Sequence, residues 1–403
     1  MTDYELKVPG QLLSSLLSDK HALAELLEAI LNPILEAQAV EQLGAERYQR
    51  SEERTGYRNG YRLRQLYTRV GPLTLRVPQL RNGSFSTEIF SRYQRSEQAL
   101  VLAMMEMVVN GVSTRKVTRI TEELCGVSFS KSAVSQLCMA LDARVAAFNE
   151  RPLGAFPLVL VDAMYLKARN GDAVESQAAM VVSGINPQGH REILGVRIGD
   201  SESEAFWRET FVWLKRRGLK GVVYVVSDDH NGLVSAARRC FQGSIWQRCQ
   251  VHFMRNVLSY TGSRHKREMG SGLKRIFSAD SAAEARQRFD ELAEAMESKA
   301  AKAIQCLENG LEDALAVMAL PAKYRRRMKS TNMQERLIRE IRRRERVIGI
   351  FPNVASAHRL IGANLAEIHE EWQARRYFDM TEFNEWQEQR KTETEKTMKV
   401  INK

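Results

Sequence analysis

Three acidic residues sit where a folding chain has little reason to put them. Asp162 interrupts the apolar run "FPLVLVDAMYL", and its near neighbours offer only Lys167 and Arg169, beyond the end of the run, as partners. Buried without a partner, such a carboxylate costs several kcal/mol. Asp228 ends a second run, "VVYVVSDDHNGL" at 222–233, 66 residues further on. If the two runs are neighbouring strands of one sheet, their carboxylates converge. Glu335, in "STNMQERLIREI", admits two readings. With Asn332 at a helix cap, Glu335 falls three residues on and can reach back to the cap amide. It also borders the apolar stripe Met333, Leu337, Ile338 and Ile341, from which it can join the aspartates.

Converging carboxylates raise one another's pKa unless a cation lies between them. Oxygen donors without a histidine or cysteine cluster favour Mg²⁺ or Mn²⁺. Two such ions can activate a water or a 3′-hydroxyl and stabilise the leaving oxygen of an in-line phosphodiester displacement. Asp229 reads differently from its neighbour. Side chains alternate along a strand, so Asp228 and Asp229 cannot both face one site. Asp229 precedes a helix expected to begin near Gly232, where amides and dipole favour a carboxylate and Asn231 competes for the cap.

The net charge of +11 is concentrated. Residues 47–95 hold eleven arginines, no lysine and three glutamates, with Tyr48, Tyr57, Tyr61 and Tyr67 interleaved. Residues 321–346 hold eleven lysines and arginines against three glutamates. Two basic surfaces on an otherwise slightly acidic chain point to a polyanion, and arginine forks suit phosphates and base edges. Arg54, Arg58 and Arg62 are the candidate contacts in the first block.

These groups must be positioned by several regions of differing rhythm. Residues 11–46 carry apolar groups at helical spacing, with Pro33 expected to break or kink the helix. Residues 54–90 read as a small ribbon of Gly- and Pro-punctuated strands. The segment "STRKVTRITEELCGVSFSKSAVSQL" fits a helix-turn-helix or a plain helical hairpin. Thr114 to Leu124 would form one helix, Gly126 the turn, and Ser130 the cap of the next. Arg115, and Lys131 with Ser132 at the start of the second helix, are candidate DNA contacts. From Pro152 on, the order is three strands, helix, strand (222–227), helix (232–241), strand (244–253), and a helix from Met254. Residues 262–320 read as all-helical, 332–346 as a long basic helix, followed by further helix to about 378. The tail "QRKTETEKTMKVINK" reads as loose. Trp207, Trp213 and Trp246 are read as core residues.

At 403 residues and 44% hydrophobic composition the chain is globular, with two or three domains. No stretch approaches the ~18 consecutive apolar residues of a membrane span. The start "MTDYELKVPG" carries no leader pattern, and five scattered cysteines fit a reducing cytoplasm.

The runs "VDAMYLKAR", "GINPQGHREILGVRIGDSESEAFWRETFVWLKRRGLKGVVYVVSDDHNGLVSAARRCF", "WQRCQVHFMRN" and "TNMQERLIREIRRRERVIGIFPN" resemble bacterial insertion-sequence transposases of the Mutator type. The N-terminal "GAERYQR", "RTGYRNGYR", "VPQLRNGSF" and "NGVSTRKV" are similar to the same family, so the likeness spans nearly the whole chain. The resemblance implies an α/β fold: a ribonuclease H-like mixed-sheet catalytic core with an all-helical insertion, preceded by a mostly helical DNA-binding N-terminal region. It implies an Asp-Asp-Glu metal site at Asp162, Asp228 and Glu335, and favours the ligand reading of Glu335 over the cap. Cys249 and His252, in "RCQVH", also match the family pattern. Two residues cannot close a tetrahedral zinc site, so they are expected to support the active site.

The expected boundaries are 1–96 for a helical, Arg-rich DNA-binding region and 97–150 for the helix-turn-helix-like region. The core follows at 151–261, interrupted by an insertion at 262–320 and resumed at 321–378, with a tail at 379–403. The implied function is a transposase that binds the terminal inverted repeats of its element, cleaves the ends and joins the 3′-hydroxyl to target DNA. Its implied partners are double-stranded DNA, Mg²⁺ or Mn²⁺ (two ions), and further copies of itself, at least a dimer, in the cytoplasm and on the nucleoid. A non-catalytic DNA-binding repressor would lack metal-dependent nicking. A hydrolytic nuclease or resolvase on the same core would cut without joining.

Overall fold

The computed structural model describes residues 10, 19, 21–50, 52–81, 85–87, 89, 90 and 96–401, with side chains as far as Thr392. Parts of the expected 11–46 helix, of the arginine block (51, 82–84, 88 and 91–95) and of the tail (402–403) lie outside the described residues. The chain divides into two units, Met1–Ala140 and Leu141–Lys403.

In the first unit, helix α1 (Ala22–Leu43) runs through Pro33 without ending there. Proline removes one bond to the carbonyl four residues back. Burial on both sides outweighs that loss, with Ala24 and Leu35 packing on Leu66, Leu73, Leu75 and Val77. Those residues belong to an antiparallel ribbon of β1 (Arg58–Thr68) and β2 (Gly71–Leu80). Three helices follow: α2 (Gln98–Val109), α3 (Thr114–Cys125) and α4 (Lys131–Cys138). The hydroxyls of Ser113 and Ser130 accept from the amides of Lys116 and Ala133, so each starts its helix with an orphan donor satisfied. Gly126, at φ 64°, makes the left-handed turn after α3.

The second unit begins with α5 (Leu141–Glu150) and is mixed α/β. Strands β3 (Leu158–Asn170), β4 (Ala173–Ile185) and β5 (Arg191–Gly199) form an antiparallel meander, followed by helix α6 (Glu204–Arg216). Then β6 (Tyr224–Ser227), α7 (Asn231–Cys240) and β7 (Ile245–Arg248) alternate. β6 and β7 add in parallel beside β3, giving the five-stranded order β5-β4-β3-β6-β7. One face buries Val159, Val161 and Val225 against Trp207, Phe211 and Leu233 of α6 and α7. The other buries Leu158, Leu160 and Val226 against Tyr324, Met328 and Met333. Trp207 and Trp246 are core; Trp213 is only partly buried and packs at its edge.

Helix α8 spans Gln250–Ser259, so the last strand ends five residues earlier than its apolar pattern suggests. The amide of Cys249 bonds to Ser227 as the final rung, and Phe253 already bonds back to Cys249 in helical fashion. Helices α9 (Lys266–Ile276) and α10 (Ala282–Leu315) build the helical block around a core of its own that includes Met269, Leu273, Met296 and Leu307. It lies close on the sheet end: a Cβ at Gly310 would stand 2.3 Å from Arg248 Nη1. The chain returns through α11 (Ala322–Met328), α12 (Asn332–Ile348) and α13 (Val354–Gln373). The charged tail is helical, not loose, in α14 (Thr381–Ile401), because Phe383 is fully buried against Tyr324 and anchors its first turn. No helix among the described residues is long and apolar enough to cross a membrane.

Candidate active site

β3 and β6 pair in parallel with Leu158 opposite Tyr224 and Leu160 opposite Val226. That offset is 66 residues, the separation of Asp162 and Asp228. Continuing the register past the end of β6 therefore sets the two carboxylates on one rung. Asp162 lies opposite Val181 of β4, and Asp228 directly follows Ser227 at the strand end. Glu335 comes from the first turn of α12, which packs on β3. All three line one pocket of about 740 Å³, together with Ala163, His252, Arg255 and a row of arginines from α12.

Glu335 does not cap its helix. The cap position is Thr331, without a side-chain capping bond, and Glu335 Oε1 is instead 2.9 Å from His252 Nε2 and 3.0 Å from Arg255 Nη1. Two cations offer a carboxylate more than one backbone amide does, and the helix start is fixed by other means. Gln334, fully buried, donates to the carbonyls of Leu160 and Val181 and accepts from Ser183 Oγ. This pins α12 across β3 and β4 one residue before the glutamate.

Asp229 is not a cap either. Helix α7 begins at Asn231 with His230 at its cap and no side-chain capping bond. The Asp229 carboxylate instead lies 2.9 Å from Arg248 at the end of β7, where an almost buried guanidinium needs a partner more than solvated amides do.

Burial pushes the Asp162 carboxyl up to about 7; Asp228 and Glu335 add to the rise, while His252 and the Ala163 amide oppose it. His252 is pushed up to about 9, by the Cys249 sulfur first and then by Asp228 and Asp162. Its Nδ1 makes no hydrogen bond among the described residues, so the well-formed contact is Nε2 to Glu335. Cys249 is buried, which raises its thiol, but His252 and the hydroxyl and amide of Thr331 bring it below the usual range. Its position is structural, joining β7 to the start of α12.

The donor chemistry suits a hard divalent cation. Asp162 Oδ1 and Asp228 Oδ1 each accept the next residue's amide; among the described residues the second oxygen of Asp162 has no protein hydrogen bond, and that of Asp228 lies 3.6 Å from His252 Nδ1. Yet among the described residues no three His, Cys, Asp or Glu side chains stand as a group that could hold a metal ion as they are placed. Glu335 is held by His252 and Arg255, and would have to exchange those partners for a metal.

The N-terminal candidates separate into two groups. Arg54 donates to the carbonyls of Glu46 and Gln49, and Arg58 pairs with Glu36 at 3.2 Å, so both serve the unit's own fold. Arg62, Arg115, Lys131 and Ser132 are exposed. Arg255 and Gln334 escaped the reading of the sequence. Arg255 had a signal, since it falls one helical turn after His252; a glutamine inside a basic helix has none.

With this geometry in view, the comparisons with known proteins give the class. A family model described as "Transposase, Mutator family" matches residues 5–375, and the chain belongs to that family of transposases. It is 44% identical over 372 residues to the transposase for insertion sequence element ISRM5 of Rhizobium meliloti, covering 92% of this chain and 94% of that one. It is also 44% identical over 351 residues to the transposase for insertion sequence element IS256 in transposon Tn4001 of Staphylococcus aureus, covering 86% and 90%. The transposase for insertion sequence element IS1081 of Mycobacterium tuberculosis is 37% identical over 386 residues, covering 94% and 93%.

Proposed function

We propose that this transposase binds the terminal inverted repeats of its element, cleaves the DNA ends and joins the 3′-hydroxyl to target DNA on a ribonuclease H-like core. One observation carries the reading: Asp162, Asp228 and Glu335, from three separate elements, line a pocket whose other wall is arginine. The sheet, an antiparallel meander extended by two parallel strands, supports the core assignment.

Asp162, Asp228 and Glu335 would hold Mg²⁺ or Mn²⁺, in one or two ions. Bound there, such ions activate an attacking water or 3′-hydroxyl and stabilise the leaving oxygen. The chain's own residues do the rest. Arg339, Arg342, Arg343 and Arg346 draw a phosphodiester into the pocket and orient it by charge and by paired donors. Until a metal takes their place, His252 and Arg255 hold Glu335 beside the pocket and limit its repulsion of the aspartates. Exposed Arg62, Arg115, Lys131 and Ser132 of the first unit are the groups available to read the repeats. Handling two ends of one element together calls for at least two copies on DNA.

Purified protein incubated with labelled element ends and Mg²⁺ tests this. Nicked ends and a strand-transfer product support the reading. Nicks without transfer mean a nuclease, and binding without nicks means a repressor.

A further inference from the structure

On the sheet face that carries α12, two arginines lie over the ring of one phenol and a third is close enough to feel their charge. The Arg191 guanidinium lies 4.5 Å from the Trp372 ring centre and 4.6 Å from that of Tyr377. Arg327 stacks on Tyr377 at 4.5 Å and donates to its carbonyl at 2.6 Å. Arg336 is near enough to act electrostatically on both Arg191 and Tyr377. The floor beneath them is rigid. Tyr377 and Phe378 both donate their amides to the Gly189 carbonyl, and a Cβ at Gly189 would stand 1.8 Å from the Phe378 oxygen.

Like charges gathered this way repel unless an anion lies among them. None of the three has a carboxylate within ion-pair distance among the described residues; nearby Asp379 is taken by Lys323 and Arg376. Arg191 Nε is buried and without a hydrogen-bond partner among the described residues. Stacking occupies the guanidinium faces and leaves their N–H edges as donors, the geometry that suits a tetrahedral oxyanion. Burial, together with Arg327 and Arg336, already presses on the charge of Arg191.

We infer that Arg191, Arg327 and Arg336 form a site for a backbone phosphate of DNA, one helix position from the acidic pocket. The assignment rests on the DNA-processing reading above. Arg336 is the residue after Glu335 on α12, turned about 100° around the helix, so a strand entering the pocket meets this cluster at its flank. A free phosphate ion shares the chemistry but not the reason for this location.

The test is a salt titration of full-length protein binding to duplex DNA that carries an element end, read by fluorescence anisotropy. Each phosphate contact contributes about 0.9 to the slope of log affinity against log salt. Arg336→Gln should lower the slope by about one and weaken binding severalfold, and Arg336→Lys should restore most of it. The Arg336 side chain is exposed and makes no hydrogen bond among the described residues, so the fold is not at stake. An unchanged slope in Arg336→Gln overturns the site. So does a cluster that takes only free phosphate: inorganic phosphate would then raise the wild-type melting temperature but not the variant's, with equal DNA slopes. Wild-type protein that binds no DNA would instead overturn the function proposed above, and the DNA assignment with it.

Discussion

Asp162 and Asp228 hold equivalent places in the parallel β3–β6 register, two residues beyond its last pair at Leu160 and Val226, because the strands are offset by the number of residues that separates the two aspartates. Asp229, one residue on, is turned to Arg248. Asp228→Asn should therefore retain almost no end cleavage, and Asp229→Asn most of it. The cost of Asp229→Ala falls on stability instead, roughly 1–2 kcal/mol, because it strands a largely buried guanidinium whose partner is partly solvated. Parallel cleavage assays and denaturant melts decide it; the opposite ordering of the two asparagine variants would show the strand end misread by one residue.

Glu335→Gln removes charge from the pocket but no helix cap. We expect end cleavage to fall by roughly three orders of magnitude or more, since several kcal/mol of charge stabilisation go with it. End binding and melting temperature should change little. A variant that cuts at the wild-type rate would remove Glu335 from the site.

Gln334 supports the glutamate through the backbone. Truncation to Ala leaves the Leu160 and Val181 carbonyls and the Ser183 hydroxyl without their partner and opens a cavity. The expected loss is about 2–4 kcal/mol by urea denaturation. Gln334→Glu should be worse, placing a charge where two carbonyls point. A loss under half a kcal/mol for the alanine variant would mean α12 is held by other contacts.

His369 makes the second unit sensitive to acid. Its Nδ1 accepts from the Ile193 amide at 3.3 Å, and its ring meets Phe148 edge-on. Burial first, then the charge of Arg151, lowers its pKa to about 4. Between about 6.5 and 4 the unfolded chain binds the proton that the folded chain refuses, so stability is full above 6.5 and drains as pH falls toward 4. Melting temperature should decline across that window, and less steeply in His369→Phe. Identical slopes for the two proteins would count against it.

The aspartates were legible because a carboxylate in an apolar strand is conspicuous, and because equal spacing and register offset follow from strands starting in step. The helices Thr114–Cys125 and Lys131–Cys138 and the turn between them were legible through Ser130 and Gly126, whose chemistry is local. Glu335 was not legible from its surroundings alone. "TNMQE" satisfies a local capping rule, and only a histidine and an arginine from another helix override it. The partner of Asp229 was hidden for the same reason: Arg248 lies on a strand that becomes adjacent only when the sheet forms. Pro33 does not end its helix: the cost of one lost bond is visible in sequence, while the burial that offsets it is not.

The helical block between β7 and α12 also sets a clock. The third acid is synthesised 107 residues after the second. At ~5–20 residues per second, roughly 5–20 s of translation pass with Asp162 and Asp228 made and Glu335 still absent. A nascent chain on its message, close to the gene that encodes it, thus has no complete set of acids until the block has been made. Any chain terminated early within those residues keeps the first unit and both aspartates but never receives the glutamate. On the reading proposed here such a fragment could occupy an element end without cutting it, a built-in competitor whose abundance would rise with every ribosome that stops short.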